Sequence, residues 1–202
     1  MDLQPILARG FILAVSAPSG TGKTSLCDKL AQEDRDVMRS VSVTTRKQRD
    51  GEVSGRDYTF VSVEEFKRLE EKGQLLETAQ VFGNWYGTPK KPVLDSLSKG
   101  QVIVMDIDTV GALKIANLYP KDTVLVYVYP PSLQDLEKRL IARGKNSPED
   151  LAMRLKEAAS EIKESRRYHY GIKNLEFDRA YSELKAVVAA ERLKLERMTL
   201  PF

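Results

Sequence analysis

With a single cysteine and a single histidine in 202 residues, the chain excludes several kinds of chemistry at once. Cys27 has no partner for an internal disulfide, and so few thiols fit a reducing interior. Cys27 is expected to be a small packing residue, not a nucleophile. No cysteine–histidine cluster with metal-ligand spacing is present. His169 lies between Tyr168 and Tyr170, where a surface or packing role is expected. Charge of one sign is also scarce: 32 Lys and Arg against 29 Asp and Glu leave +3. That balance speaks against a general nucleic-acid coat, so no nucleic-acid partner is expected. Asp2 and Pro5 precede only a short apolar stretch, which matches neither a secretory signal nor a membrane span. Internal repeats, low-complexity tracts and long linkers are missing too. The expectation is one soluble, cytoplasmic domain without a membrane partner.

What is present begins with Phe11-Ile12-Leu13-Ala14-Val15, an apolar run that reads as a buried strand. It leads into Ser16-Ala17-Pro18-Ser19-Gly20-Thr21-Gly22-Lys23-Thr24-Ser25, and then into a helical segment with Leu26 and Leu30 one turn apart. Strand, glycine-rich loop, Lys-Thr and helix make up a phosphate-binding P-loop. Its backbone N–H groups wrap a polyphosphate, the lysine reaches the terminal phosphates, and the following hydroxyl holds Mg²⁺. The helix start adds unpaired N–H groups and partial positive charge. Ala17 stands where the usual pattern has its first glycine, which is tolerable wherever φ stays negative. The chain is therefore expected to bind a nucleoside triphosphate through Ala17 to Ser25, with Thr24 on the metal.

Further along, strands and helices alternate. A strand is expected over Met38–Val43, a helix over Ser62–Lys72 with Phe66 and Leu69 as its apolar face, and strands over Gln74–Phe82 and Asn84–Thr88. Pro89–Lys99 reads as a short helix and Ala112–Leu118 as another. Gln101–Asp106 and Thr123–Tyr129 read as buried parallel strands, because continuous apolar runs suit a sheet covered on both faces. Helices are expected from Ser132 to about Arg143, from Ser147 to about Arg167, and from Phe177 to about Arg197. A weak last strand surrounds Ile172, interrupted by Gly171 and Lys173. The fold class is α/β, a doubly wound parallel sheet. Ligands in such sheets sit at the carboxyl ends of the strands, where Ala17 to Lys23, Ser42 and Asp106 all fall. A carboxylate ending a central strand, as Asp106 does, is placed to orient Mg²⁺ or its water ligands.

Basic residues gather at Arg46-Lys47-Gln48-Arg49 and again across Arg139, Arg143, Lys145, Arg154, Arg166 and Arg167. Each group alone reads as a solvated face. Beside a P-loop, guanidinium forks matched to phosphate oxygens become the better reading.

Four segments follow the P-loop in order: Ser40–Arg49, Gly51–Tyr58, Gly83–Thr88 and Asp106–Gly111. Together they resemble the guanylate kinase family over nearly the whole chain. The resemblance implies transfer of the ATP γ-phosphoryl group to GMP with Mg²⁺, giving ADP and GDP. It implies a core (1–40, 89–133 and 168–202), a small mixed α/β GMP-binding insert (41–88) and a helical lid (134–167). Arg46, Arg49, Tyr58 and Tyr86 match positions that hold the GMP phosphate. Ser42, Glu77, Thr88 and Asp108 match the guanine-binding positions. Guanine offers N1–H and N2–H₂ donors beside the O6 acceptor, so a carboxylate and hydroxyls form a matched set that adenine would mispair. Arg139, Arg143 and Arg154 match lid arginines over the triphosphate, and Asn174 matches a position near the bound nucleotides. Lys23, Arg46, Arg143, Arg154 and Asp106 are thus the expected catalytic residues, with Thr24 and Asp106 on the metal. Val110 departs from the family's frequent Gln. The preference for GMP over dGMP and self-association stay open.

Two rivals remain at this level. One is a catalytically inactive module of the same fold that binds peptides, which would be expected to lack a working P-loop. The other is a P-loop kinase acting on another phosphorylated small molecule, which would not need the set Glu77, Ser42, Thr88 and Asp108.

Overall fold

A computed structural model describes residues 7–81, 83–142 and 148–199. After the short strand β1 (Leu7–Ala8), strand β2 (Phe11–Ser16) is buried at every position. The P-loop then feeds helix α1 (Lys23–Glu33), followed by β3 (Val37–Arg39). A second group of strands comprises β4 (Val43–Thr44), β5 (Thr59–Phe60), β6 (Leu75–Val81) and β7 (Asn84–Pro89), with α2 (Val63–Glu71) between β5 and β6. The chain returns through α3 (Lys90–Ser98), β8 (Val102–Asp106), α4 (Thr109–Leu118) and β9 (Thr123–Tyr129). It finishes with α5 (Leu133–Ala142), α6 (Pro148–Glu164), β10 (Tyr170–Lys173), α7 (Phe177–Arg192) and β11 (Met198–Thr199).

Among the described residues, five parallel strands form the core sheet in the order β10-β9-β2-β8-β3. Alternate residues of β2 face opposite ways, as the period of a strand requires. Phe11, Leu13 and Val15 pack with α1 and α7 through Leu26, Leu30, Tyr181 and Leu184. Ile12 and Ala14 pack on the other side with Val93 of α3 and Ala112 and Ile115 of α4. Both faces are covered, so the strands are apolar throughout. Cys27 is fully buried in the first of these layers, and burial pushes its thiol far up, which makes it inert. His169 stitches the sheet: its Nδ1 accepts from the Leu125 N–H at 3.1 Å, and its backbone N–H donates to the Leu125 carbonyl at 3.0 Å.

A separate sheet in the order β5-β4-β7-β6 carries the segment between β3 and α3. The continuous strand expected over Met38–Val43 is two strands in two sheets. β3 lies at the edge of the core beside β8, β4 pairs with β5 and β7, and Ser40 makes the last core bond, its N–H donating to Val104 at 2.9 Å. The two ends of 38–43 serve different layers: Val43 is buried in the second sheet, whereas Met38 at the core edge is exposed.

Two helix ends fall short of expectation. α6 stops at Glu164 and gives way to a 3₁₀ turn over Ser165–Arg167. α7 stops at Arg192, and a second 3₁₀ turn over Leu195–Arg197 delivers β11 to pair antiparallel with β1. The cause of the second is a buried ion pair: Arg197 reaches Glu191 at 3.1 Å and stacks over Phe11, which a continuing helix would not permit. β10 forms despite Gly171, and because of it. A Cβ there would lie 2.9 Å from the Tyr129 ring.

Candidate active site

The loop after β2 is shaped by two glycines with left-handed backbone, Gly20 at φ 95° and Gly22 at φ 97°. Gly22 caps α1 without any side-chain bond, so the first N–H groups of that helix face outward for an anion. Ala17, in place of glycine, is buried against the core. The loop is braced from the far edge of the sheet. Asn174 donates through Nδ2 to the Thr21 carbonyl at 2.7 Å, and Arg139 donates to the same oxygen at 3.3 Å. Arg154 on α6 donates to the Ser19 hydroxyl at 3.1 Å.

Lys23 lies at the start of α1 and pairs with Asp106 Oδ1 at 2.6 Å, while donating to the Ile107 carbonyl at 3.0 Å. The Thr24 hydroxyl donates to Asp106 Oδ2 at 2.5 Å. Burial acts to raise the Asp106 carboxyl, but the Lys23 charge and the bonds from Lys23 and Thr24 outweigh it, so the group sits below its ordinary range. Register explains the meeting: Val15 is opposite Asp106 across β2 and β8, so the P-loop and the carboxylate leave the sheet side by side. A hydroxyl and an ionised carboxylate are hard oxygen donors, few enough to leave most of an octahedral shell to phosphates and water. The pair fits Mg²⁺. Among the described residues no cluster of three Asp, Glu, His or Cys offers an all-protein cage.

Opposite the loop, Arg46 is held by Glu52 in a forked pair at 2.8 and 3.0 Å and lies over the Tyr58 ring at 5.2 Å. Glu52 also accepts from the Arg49 backbone N–H at 2.8 Å. Tyr58 and Tyr86 meet edge to face at 5.9 Å. These residues leave two guanidinium groups and two phenols around one space, a dianion site in charge and donor type.

Glu77 on β6 is 8% exposed. Its Oε1 accepts from the Thr88 hydroxyl at 2.8 Å, whereas Oε2 is buried with no partner. Gly111 makes room for that oxygen, since a Cβ there would come within 3.0 Å of it. Burial, together with the nearby Asp108 charge, pushes the Glu77 carboxyl up to about 7 against the opposing Thr88 bond. Asp108 caps α4, its Oδ1 accepting from the Val110 and Gly111 N–H groups at 2.8 and 3.0 Å. A buried acceptor without a donor costs free energy unless a ligand supplies one.

One cleft of about 530 Å³ collects these groups. Ala17 to Ser25, Ser42, Arg46, Arg49, Tyr58, Glu77, Tyr86, Asp106, Asp108 and Arg154 line it. Three other expected residues do not: Thr88 stands behind Glu77, while Asn174 and Arg139 stand behind the loop they brace. Arg143 lies outside the described residues. The cleft also contains Arg39, Glu52, Asp57 and Glu161, to which the sequence assigned no role. Arg39 pairs with Asp28 at 2.9 Å and approaches Asp106 at 3.8 Å. Nothing in its strand signalled this. For Glu161 a signal existed, because Arg154 and Glu161 are two turns apart on one helix and so share a face.

The cleft has counterparts in known proteins. A family model described as guanylate kinase matches residues 9–191. The guanylate kinase of Maricaulis maris (strain MCS10) is 47% identical over 92% of this chain and 85% of its own length. That of Caulobacter vibrioides is 45% identical over 94% of this chain and 89% of its own. A crystal structure of guanylate kinase from Anaplasma phagocytophilum superimposes with a TM-score of 0.84 at 35% identity, covering 96% of this chain and 93% of that one.

Proposed function

The chain belongs to the guanylate kinase family, and from that premise we propose how its residues divide the work of moving a phosphoryl group from ATP to GMP. The reaction itself gives ADP and GDP. The observation that supports the acceptor most directly is Glu77 Oε2, buried and without a partner in the same cleft as the P-loop.

ATP lays its β- and γ-phosphates along residues 17–25, where the exposed N–H groups of the α1 start and Lys23 receive them. Lys23 exchanges Asp106 for phosphate oxygens, and Arg154 swings from Ser19 to the transferred group. Arg143 and Arg139 belong to the same 134–167 lid. The GMP phosphate lies between Arg46, Arg49, Tyr58 and Tyr86 in the 41–88 insert. Glu77 accepts from guanine N1–H and N2–H₂, held in orientation by Thr88, with Ser42 and Asp108 completing the base site. A GMP phosphate oxygen attacks the γ-phosphorus in line and ADP leaves. A phosphate nucleophile is already ionised, so no general base is required. Thr24 and Asp106 would hold Mg²⁺, which would neutralise charge on the phosphates when bound. The core frame (1–40, 89–133 and 168–202) keeps the two sites in register. The reaction is placed in the cytoplasm, where both nucleotides meet and where a lone buried thiol is suited. Among the described residues no helix is long and apolar enough to cross a membrane.

The test is ADP release measured with GMP, dGMP, AMP, UMP and ribose phosphates as acceptors. GMP is expected to exceed AMP by a large factor, up to about 10⁴, because a mispaired buried carboxylate rejects adenine. Ribose phosphate turning over as well as GMP would move the activity to another acceptor.

A further inference from the structure

Glu161 lies on α6 and faces the cleft, half-buried, in the company of Lys23 and Asp108. It makes no hydrogen bond or ion pair with any described residue, unlike Glu52 and Glu77, whose carboxylates are anchored by Arg46 and Thr88. Its position is fixed by its neighbours. One turn further on, the Ser165 hydroxyl meets the Tyr129 hydroxyl at 2.6 Å, joining the end of α6 to the end of β9. Tyr127, beside Tyr129 at 4.8 Å and Tyr168 at 5.3 Å, forms an aromatic wall in this region. Glu161 therefore sits at the anchored root of the lid, whereas Arg154, two turns away, reaches the loop at Ser19.

A carboxylate in a cleft built for phosphates is repelled by its guests unless one brings it an O–H or N–H donor. The phosphates bring none. The guanine N–H groups already face Glu77. The cleft wall that Glu161 shares with Ser42, Glu77, Tyr86 and Asp108 of the acceptor site places it on the acceptor side rather than beside the donor's adenine. The only donors left there are the sugar hydroxyls. Building on the acceptor site proposed above, we infer that Glu161 is a specificity residue that accepts a hydrogen bond from a ribose hydroxyl of GMP. Such a contact turns a carboxylate that would oppose polyphosphate binding into one that favours an intact ribonucleotide. Burial, with Asp108 and Glu157 nearby and Lys23 opposing, pushes its carboxyl up to about 7. Near neutrality it therefore remains substantially available as an acceptor.

The experiment compares kcat/KM for GMP, dGMP, 3′-deoxy-GMP and 2′,3′-dideoxy-GMP on wild type, Glu161→Ala and Glu161→Gln. Wild type is expected to lose roughly ten- to hundredfold on the dideoxy analogue, with the two single-deoxy compounds showing which hydroxyl is read. In Glu161→Ala that ratio should shrink to within about twofold, because GMP falls while the dideoxy analogue holds. Glu161→Gln keeps the shape and one neutral acceptor, so an intermediate ratio is expected, and it carries the test alone if the alanine variant does not fold. An unchanged ratio in both variants, or an equal loss on every acceptor, overturns the inference. A wild type that phosphorylates AMP as well as GMP overturns the acceptor site itself, a separate outcome.

Discussion

Glu77 holds one oxygen to Thr88 and leaves the other buried without a partner, so in the proposed base site its protonation state decides what it can read. Its folded pKa, raised from 4.5 to about 7, means the native protein holds this proton more tightly than the unfolded chain does. The sign follows: this group favours the folded state below about pH 4.5, and the benefit is lost as pH rises through about 7. Guanine recognition runs the other way, because the ionised form is the acceptor. The kcat/KM for GMP should therefore climb with pH through about 7. Glu161, raised to the same range, adds a second proton to that limb. Glu77→Gln should lower kcat/KM for GMP by about 2–4 kcal/mol, reduce the limb to the Glu161 step, and leave ATP affinity close to normal. Steady-state pH profiles with GMP and AMP check it, and a mutant with the wild-type profile would remove Glu77 from the base site. Lys23 is tested more simply. Removing the charge that leaves Asp106 for the β- and γ-phosphates should lower kcat by at least about 10²-fold in Lys23→Ala, measured at saturating nucleotides.

At the scale of elements, α4 shows a helix start that serves two purposes. Asp108 Oδ1 satisfies the first free N–H groups of the helix, and in the proposed site the same carboxylate also serves the base. The helix thus begins at Thr109, earlier than its apolar pattern over Ala112–Leu118 implies. Asp108→Ala should cost about 1 kcal/mol of folding stability and also weaken GMP use. Asp108→Ser restores a cap but not a carboxylate, so thermal melts should recover while kcat/KM for GMP does not. Recovery of both would reduce Asp108 to a cap. Gly171 and Tyr129 illustrate a similar economy between elements. The missing side chain on β10 lets the Tyr129 ring come close, and the ring's hydroxyl then anchors the end of α6.

For the whole molecule, the decisive arrangement is that residues far apart in sequence meet around one loop. Thr21 is braced by Asn174 from the last strand and by Arg139 from α5, while Arg154 comes from α6. In the proposed division of work Arg154 acts on charge that develops as the phosphoryl group moves, so Arg154→Ala should lower kcat more than it raises the KM for GMP. Initial rates at varied GMP and fixed saturating ATP measure the split, and a change confined to the KM for GMP would place Arg154 with the acceptor instead.

The sequence by itself determined the local and the chemical parts of this protein. Phe11 to Ser25 carries strand, turn and helix start in one contiguous stretch, because a P-loop is made almost wholly from its own backbone. The apolar runs of Val102–Asp106 and Thr123–Tyr129 likewise announced a sheet buried on both faces. The tertiary structure alone decided what depends on distant partners. Residues 38–43 read as one short strand, yet the competing demands of two sheets divide them between β3 and β4. α7 stops at Arg192 because Arg197 must fold back to a buried Glu191, a pairing that no local pattern reports. Thr88, Asn174 and Arg139 carry no local sign of what they bond to, and only the fold brings them to Glu77 and to the Thr21 carbonyl. Arg39 enters the cleft for the same reason: a side chain acquires its role from what faces it, and only the fold brings those faces together.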